Sequence, residues 1–94
     1  MTNDEEIRRG NEAQRLMSDP MLIEAFETIE RGIVGAMKQA KLGDTQTHHE
    51  LIVMLQLHGR LRGFFAEAIE TGKLARIQKE TLADKVKKTF RRGR

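Results

Sequence analysis

Several residue types that stabilise small proteins are missing from this chain. Its 94 residues include no cysteine, tryptophan or tyrosine, and only four phenylalanines and one proline. Without cysteine the chain can form neither a disulfide nor a thiolate metal site. A chain of this length buries only about 60–65% of its unfolded surface, so its own hydrophobic core provides marginal stability. We therefore expect one small domain, residues 1–94, that gains stability by associating with other copies.

No apolar segment of the sequence is long enough to cross a membrane. A transmembrane helix needs about 20 consecutive apolar residues, and no run here approaches that length. The first residues, Met1 to Glu6, are acidic and do not resemble a secretory signal. These observations predict a cytoplasmic protein with no membrane partner.

Charge is distributed unevenly along the chain. Residues 1–50 contain ten acidic and six basic side chains, whereas residues 51–94 contain four acidic and eleven basic ones. The positive excess comes from residues 73–94, which contain nine basic and two acidic side chains. Such asymmetry predicts a basic C-terminal arm, residues 73–94, that meets nucleic acid, an acidic protein surface or the acidic half of a neighbouring copy.

The spacing of apolar residues and of helix-capping residues predicts an all-α fold. A first, weak helix is expected over about residues 4–18, loosely attached because it has few apolar residues and contains Gly10. Asp19 and Pro20 are typical of the start of a helix, and the second helix should cover about residues 20–42. Its apolar residues fall on one face, which should be buried.

A third helix is expected over about residues 45–71, after a short connection. Either Asp44 caps its first turn, or Thr47 and Glu50 form a capping box there. Because the connection is short, the second and third helices should be antiparallel neighbours in a helical hairpin. Gly72 is expected to end the third helix, and a separate basic C-terminal helix should follow.

The third predicted helix carries two rows of apolar residues. One row consists of Leu51, Leu55, Leu61, Phe65 and Ile69, with His58 and Arg62 among them, and the other consists of Val53, Leu57 and Phe64. The second helix can cover only one row, so we expect the second row to pack against another copy of the chain. His58 and Arg62 are interpreted as a buried polar pair that sets the register of this oligomer interface. Alternatively, the Arg62 guanidinium simply reaches water along its aliphatic stem.

Two polar motifs look like catalytic or metal sites but lack the required residues. His48-His49-Glu50 would need a histidine at Val53 to place two imidazoles on one helix face. Glu70-Thr71-Gly72-Lys73 would need an earlier glycine and a following serine or threonine to bind nucleotide phosphates. Paired carboxylates elsewhere are typical of solvated helix faces. We therefore predict no catalytic residue, no metal and no cofactor, and a protein that is not an enzyme.

The basic C-terminal arm is the strongest functional lead in the sequence. Lysine and arginine along a helix can neutralise DNA phosphates and release counterions, which gives salt-sensitive binding with little sequence selectivity. A protein partner, or no specific partner, is the alternative, because no aromatic residues are interleaved for stacking on single strands. The candidate nucleic-acid-binding residues are Lys73, Arg76, Lys79, Lys85, Lys87, Lys88, Arg91, Arg92 and Arg94.

Five segments stand out together: Asp19-Pro20-Met21-Leu22, Ala25-Phe26, Ile29-Glu30, Leu61-Arg62-Gly63 and Glu70-Thr71-Gly72-Lys73-Leu74-Ala75. They resemble segments of short helical proteins of tailed bacteriophages and prophages, encoded near head and DNA-packaging genes. The resemblance covers about residues 12–78 and leaves most of the basic arm outside. It implies an all-helical, oligomer-forming viral protein in the host cytoplasm or the virion. Small terminase subunits are one such class, but their N-terminal helix-turn-helix is missing here.

Two functions are therefore expected. The first is a non-enzymatic component of virion assembly or DNA packaging, in which a homo-oligomer multiplies the weak phosphate contacts of its basic arms. The alternative is a small phage inhibitor or adaptor that binds a host or defence protein through its apolar or charged surface.

Overall fold

The structure is a computed structural model that describes residues 1–92, and it consists of three α-helices. Helix α1 spans Asn3–Met17, α2 spans Pro20–Gln39 and α3 spans Thr45–Arg92. No strand occurs within the described residues. The predicted all-α fold is confirmed.

Aspartate side chains cap the first turns of α2 and α3. Oδ1 of Asp19 accepts hydrogen bonds from the backbone N–H groups of Met21 and Leu22, at 2.9 and 3.1 Å. The Thr47 hydroxyl donates to Oδ2 of Asp44 at 2.7 Å, and the Thr47 backbone N–H donates to Oδ1 at 3.1 Å. These two bonds hold the pKa of Asp44 below its ordinary value. Of the two caps considered for the third helix, the structure contains the one made by Asp44.

Two helix ends differ from those that the sequence predicted. The α2 helix ends at Gln39 rather than near Leu42. The α3 helix continues through Gly72 to Arg92, so the predicted end at Gly72 and the separate C-terminal helix are wrong. No glycine among the described residues has a positive φ, so Gly72 keeps the helical backbone and forms no left-handed cap. A glycine inside a helix costs only about 1 kcal/mol against alanine, which good helix formers on both sides of Gly72 offset.

The first of two compact units contains Met1–Arg15 and the chain from Phe65 onward. In it α1 crosses α3 at two glycines. A Cβ built on Gly72 would lie 3.0 Å from Gly10 Cα and 3.0 Å from the carbonyl oxygen of Glu6. Three alanines of this unit are also buried: Ala13, Ala68 and Ala75. Small residues let the two backbones touch, so α1 is attached more closely than its few apolar residues predicted.

The second compact unit contains Leu16–Phe64. Its buried residues include Phe26 and Ile33 of α2 and His58 of α3. The His58 ring stands edge-on to the Phe26 ring, with the ring centres 5.6 Å apart. Nε2 of His58 lies 3.0 Å from the carbonyl oxygen of Phe26. Because a carbonyl oxygen only accepts, Nε2 carries the proton in this contact.

Candidate nucleic-acid interface

The basic side chains of the C-terminal half of α3 form two groups. Lys73, Arg76 and Lys79 form the first group, in the part of α3 that contacts α1. The second group is Lys85, Lys87, Lys88 and Arg91, farther along the helix. All of these residues are exposed. Arg94 and the side chain of Arg92 lie outside the described residues.

The first group is linked to α1 by polar contacts. Nη2 of Arg76 donates to Oδ1 of Asn11 at 2.8 Å, and Nζ of Lys79 donates to Oδ1 of Asp4 at 2.6 Å. The hydrogen bond and the positive charge of Lys79 hold the pKa of Asp4 below its ordinary value. Lys79 therefore has a carboxylate partner in its own chain. Sequence reasoning missed this pair because its members are 75 residues apart.

Beyond the contact with α1, helix α3 is amphipathic. At about 100° per residue, the four basic side chains of the second group all lie at least about 100° around the helix axis from Val86. The apolar residues on the Val86 side are Leu82, Val86 and Phe90, which are 58%, 51% and 75% exposed. Lys85 and Lys87 flank the apolar line, about 60° around the axis from Leu82 and Phe90, whereas Lys88 and Arg91 lie on the opposite side of the helix.

The apolar residues predicted to form an oligomer interface are exposed in the second unit. Val53, Leu57 and Phe64 are 40%, 58% and 56% exposed. Leu61, predicted to lie in the row covered by the second helix, is also 50% exposed. The membership of these residues in an interface stays a prediction.

The two polar residues assigned to the same interface contact α2 of their own chain. His58 is buried against Phe26. Nη1 of Arg62 lies 3.5 Å from Oε2 of Glu30, and the Arg62 guanidinium lies 5.8 Å from the centre of the Phe26 ring. Arg62 thus pairs with a carboxylate of its own chain.

His48, in the motif His48-His49-Glu50, makes a local contact. Nε2 of His48 lies 3.0 Å from the carbonyl oxygen of Lys41, so this ring bonds to the connection between α2 and α3. Within residues 1–92, no three His, Cys, Asp or Glu residues are grouped so that they could hold a metal ion. None of the helices described has a stretch both long and apolar enough to cross a membrane.

No protein-family model, curated protein or solved structure matches the chain. A proposal of function therefore depends on the side chains themselves. The described surface offers exposed cations along one helix and exposed apolar residues in the second unit, and both are features of binding surfaces.

Proposed function

We propose that this chain is a non-enzymatic, oligomeric component of a tailed phage that acts in head assembly or DNA packaging and contacts DNA phosphates through its basic C-terminal arm. The observation that carries the proposal is the second group of basic side chains, which are exposed and lie on one continuous helix outside its apolar line. The proposed location is the host cytoplasm or the virion.

The strength of such an arm follows from the number of its phosphate contacts. Each phosphate neutralised on duplex DNA contributes about −0.9 to the slope of log K against log salt. Four contacts from Lys85, Lys87, Lys88 and Arg91 would give a slope of about −3.6. Binding of this kind is weak near physiological salt and carries no base sequence information. Several arms on one assembly would raise the overall affinity through effective concentration.

Self-association is the second part of the proposal. We infer that α2 and the first part of α3 pair as an antiparallel hairpin whose exposed apolar residues meet those of another copy. Fully burying a large apolar side chain contributes about 1.5–3 kcal/mol, so four half-exposed ones contribute about 3–6 kcal/mol per copy. A symmetric pair would gain about twice that, which is comparable to an association cost of about 4–15 kcal/mol. The residues counted are Val53, Leu57, Leu61 and Phe64.

The test compares two variants that lose the same charge. One changes Lys85, Lys87, Lys88 and Arg91 to glutamine, and the control changes Arg8, Arg31, Lys38 and Lys41 to glutamine. Affinity for a labelled duplex is measured by fluorescence anisotropy at several salt concentrations, and mass is measured by light scattering. We expect the wild type and the control to share one salt slope and the slope of the arm variant to be smaller in magnitude by about 3.6, with equal masses for all three. A wild type that does not bind DNA, or a control that loses as much as the arm variant, would refute the proposal.

The second candidate is a small inhibitor or adaptor that binds a host or defence protein. The exposed apolar residues of the second unit favour it, because such a surface can receive another protein as readily as another copy. Two results together would favour this function over the first: a monomeric mass at every protein concentration, and no DNA binding at any salt concentration.

A further inference from the structure

The crossing of α1 and α3 forms a small cleft. Its volume is about 100 Å³, and the two close-packed glycines, Gly10 and Gly72, lie at its base. Asn11 and Gln14 of α1 line one side, and Lys73 and Arg76 of α3 line the other. On each helix the two polar residues are three positions apart, so they lie on neighbouring turns of one face. The cleft thus gathers two cations and two amides beside the apolar Ile69, and no carboxylate lines it.

The cations of the cleft are positioned for an anion. Arg76 is held by its hydrogen bond to Asn11 at 2.8 Å, which uses one of the five N–H donors of a guanidinium. Nζ of Lys73 lies 3.7 Å from a carboxylate oxygen of Glu70, beyond hydrogen-bond distance, in an ion pair exposed to solvent. Such exposed pairs contribute little, so Lys73 can turn to a better ligand at small cost. A guanidinium that is already oriented also loses less entropy when it binds.

We propose that this cleft binds one phosphoryl oxyanion, with Lys73 and Arg76 as charge partners and the amides of Asn11 and Gln14 as further hydrogen-bonding groups. With a volume of about 100 Å³, the cleft has room for a single phosphate group. In the context of the proposed function, the oxyanion is a phosphate of the DNA backbone. The cleft then fixes where α3 meets the strand, while the second basic group adds diffuse contacts.

The first arm of the test uses inorganic phosphate on the full chain. Side-chain and backbone N–H resonances are followed by NMR while phosphate replaces chloride at constant ionic strength. If the cleft binds phosphate, the resonances of Asn11, Gln14 and Arg76 should shift until they saturate, with a dissociation constant on the order of 1–10 mM. The double variant Lys73→Gln, Arg76→Gln should lose them, and Lys87→Gln, Lys88→Gln should keep them. Lys73→Gln alone, which leaves the bond between Arg76 and Asn11 intact, should weaken binding several-fold without changing the circular dichroism. Absence of saturable shifts at the cleft in the wild type would overturn the site.

The second arm measures duplex DNA binding by the same variants. Two cations that hold one phosphate count as one contact, so the cleft double variant should lower the salt slope by about 1. Two independent contacts count separately, so the control double variant should lower it by about 2. Equal changes of about 2 would overturn the shared site.

The two proposals fail in different ways. If the wild type binds DNA but phosphate does not bind the cleft, the cleft proposal is overturned and the packaging function stands. If phosphate saturates the cleft but the wild type does not bind DNA, the packaging function is refuted and the cleft is supported as a site for a free or small phosphorylated ligand.

Discussion

Replacing Gly72 by alanine should destabilise this protein, although alanine is the better helix former. Gly72 has a helical backbone conformation, so the substitution alone would contribute about 1 kcal/mol of stability through helix propensity. The added methyl group, however, would lie 3.0 Å from Gly10 Cα and from the Glu6 carbonyl oxygen. Both obstacles are backbone atoms of α1 and cannot rotate away, so the whole helix must move.

The magnitude follows from these two opposing effects. Forcing an extra methyl group into a close-packed contact costs about 1–3 kcal/mol. Subtracting the gain of about 1 kcal/mol in helix propensity leaves a net loss of about 0–2 kcal/mol in the free energy of unfolding. Gly63→Ala, on the same helix, is the matched control, because a Cβ there meets nothing within 4 Å. Gly63→Ala should raise the free energy of unfolding by up to about 1 kcal/mol. The free energies of unfolding of the two variants should therefore differ by about 1–3 kcal/mol.

Urea denaturation followed by circular dichroism measures this difference. Hydrogen exchange adds a local readout, because amides of α1 should lose protection in Gly72→Ala and keep it in Gly63→Ala. Gly10→Ala should behave like Gly72→Ala, since its Cβ would lie 2.9 Å from Gly72 Cα. If Gly72→Ala were as stable as Gly63→Ala, the two backbones would not be in contact and the account of the α1–α3 crossing would be refuted.

Leu57→Glu should dissociate the proposed oligomer, because a charge buried at the interface adds a desolvation cost to the lost apolar contact; light scattering that gives the wild-type mass would contradict it. Asp44→Ala should lower the urea midpoint near neutral pH. The depressed folded-state pKa of Asp44 gives stability that is present above its ordinary value of 3.8 and is lost as pH falls through the folded pKa. The difference in urea midpoint between Asp44→Ala and the wild type should therefore become smaller in acid. A difference that stays constant with pH would show that the depressed pKa of Asp44 is not its cause. His58→Ala should cost about 2–4 kcal/mol of unfolding free energy in the same assay, because it leaves a cavity and removes the bond to Phe26; a loss below about 1 kcal/mol would contradict its buried position.

The candidate site could be predicted in part. The exposed basic residues of α3 were found from charge alone, because a run of lysine and arginine is visible without knowing the fold. The cleft of Asn11, Gln14, Lys73 and Arg76 was not predicted. Asparagine and glutamine on a polar helix do not by themselves indicate a binding site. What brings them near the cations is the glycine crossing, and glycine in a helix pattern is usually interpreted as a weak point or an end.

Local chemistry let the sequence alone predict the all-α fold and the start of α2 after Asp19, and it offered Asp44 as one of two possible caps for α3. Asp19 and Asp44 act on N–H groups two or three residues away, so their effect can be predicted from a short window. Only the tertiary structure decided that Gly72 contacts Gly10, that Lys79 pairs with Asp4 and that His58 faces α2. Each of these depends on which distant segments meet, and that is set by backbone approach and side-chain packing over the whole fold rather than by neighbours in the chain.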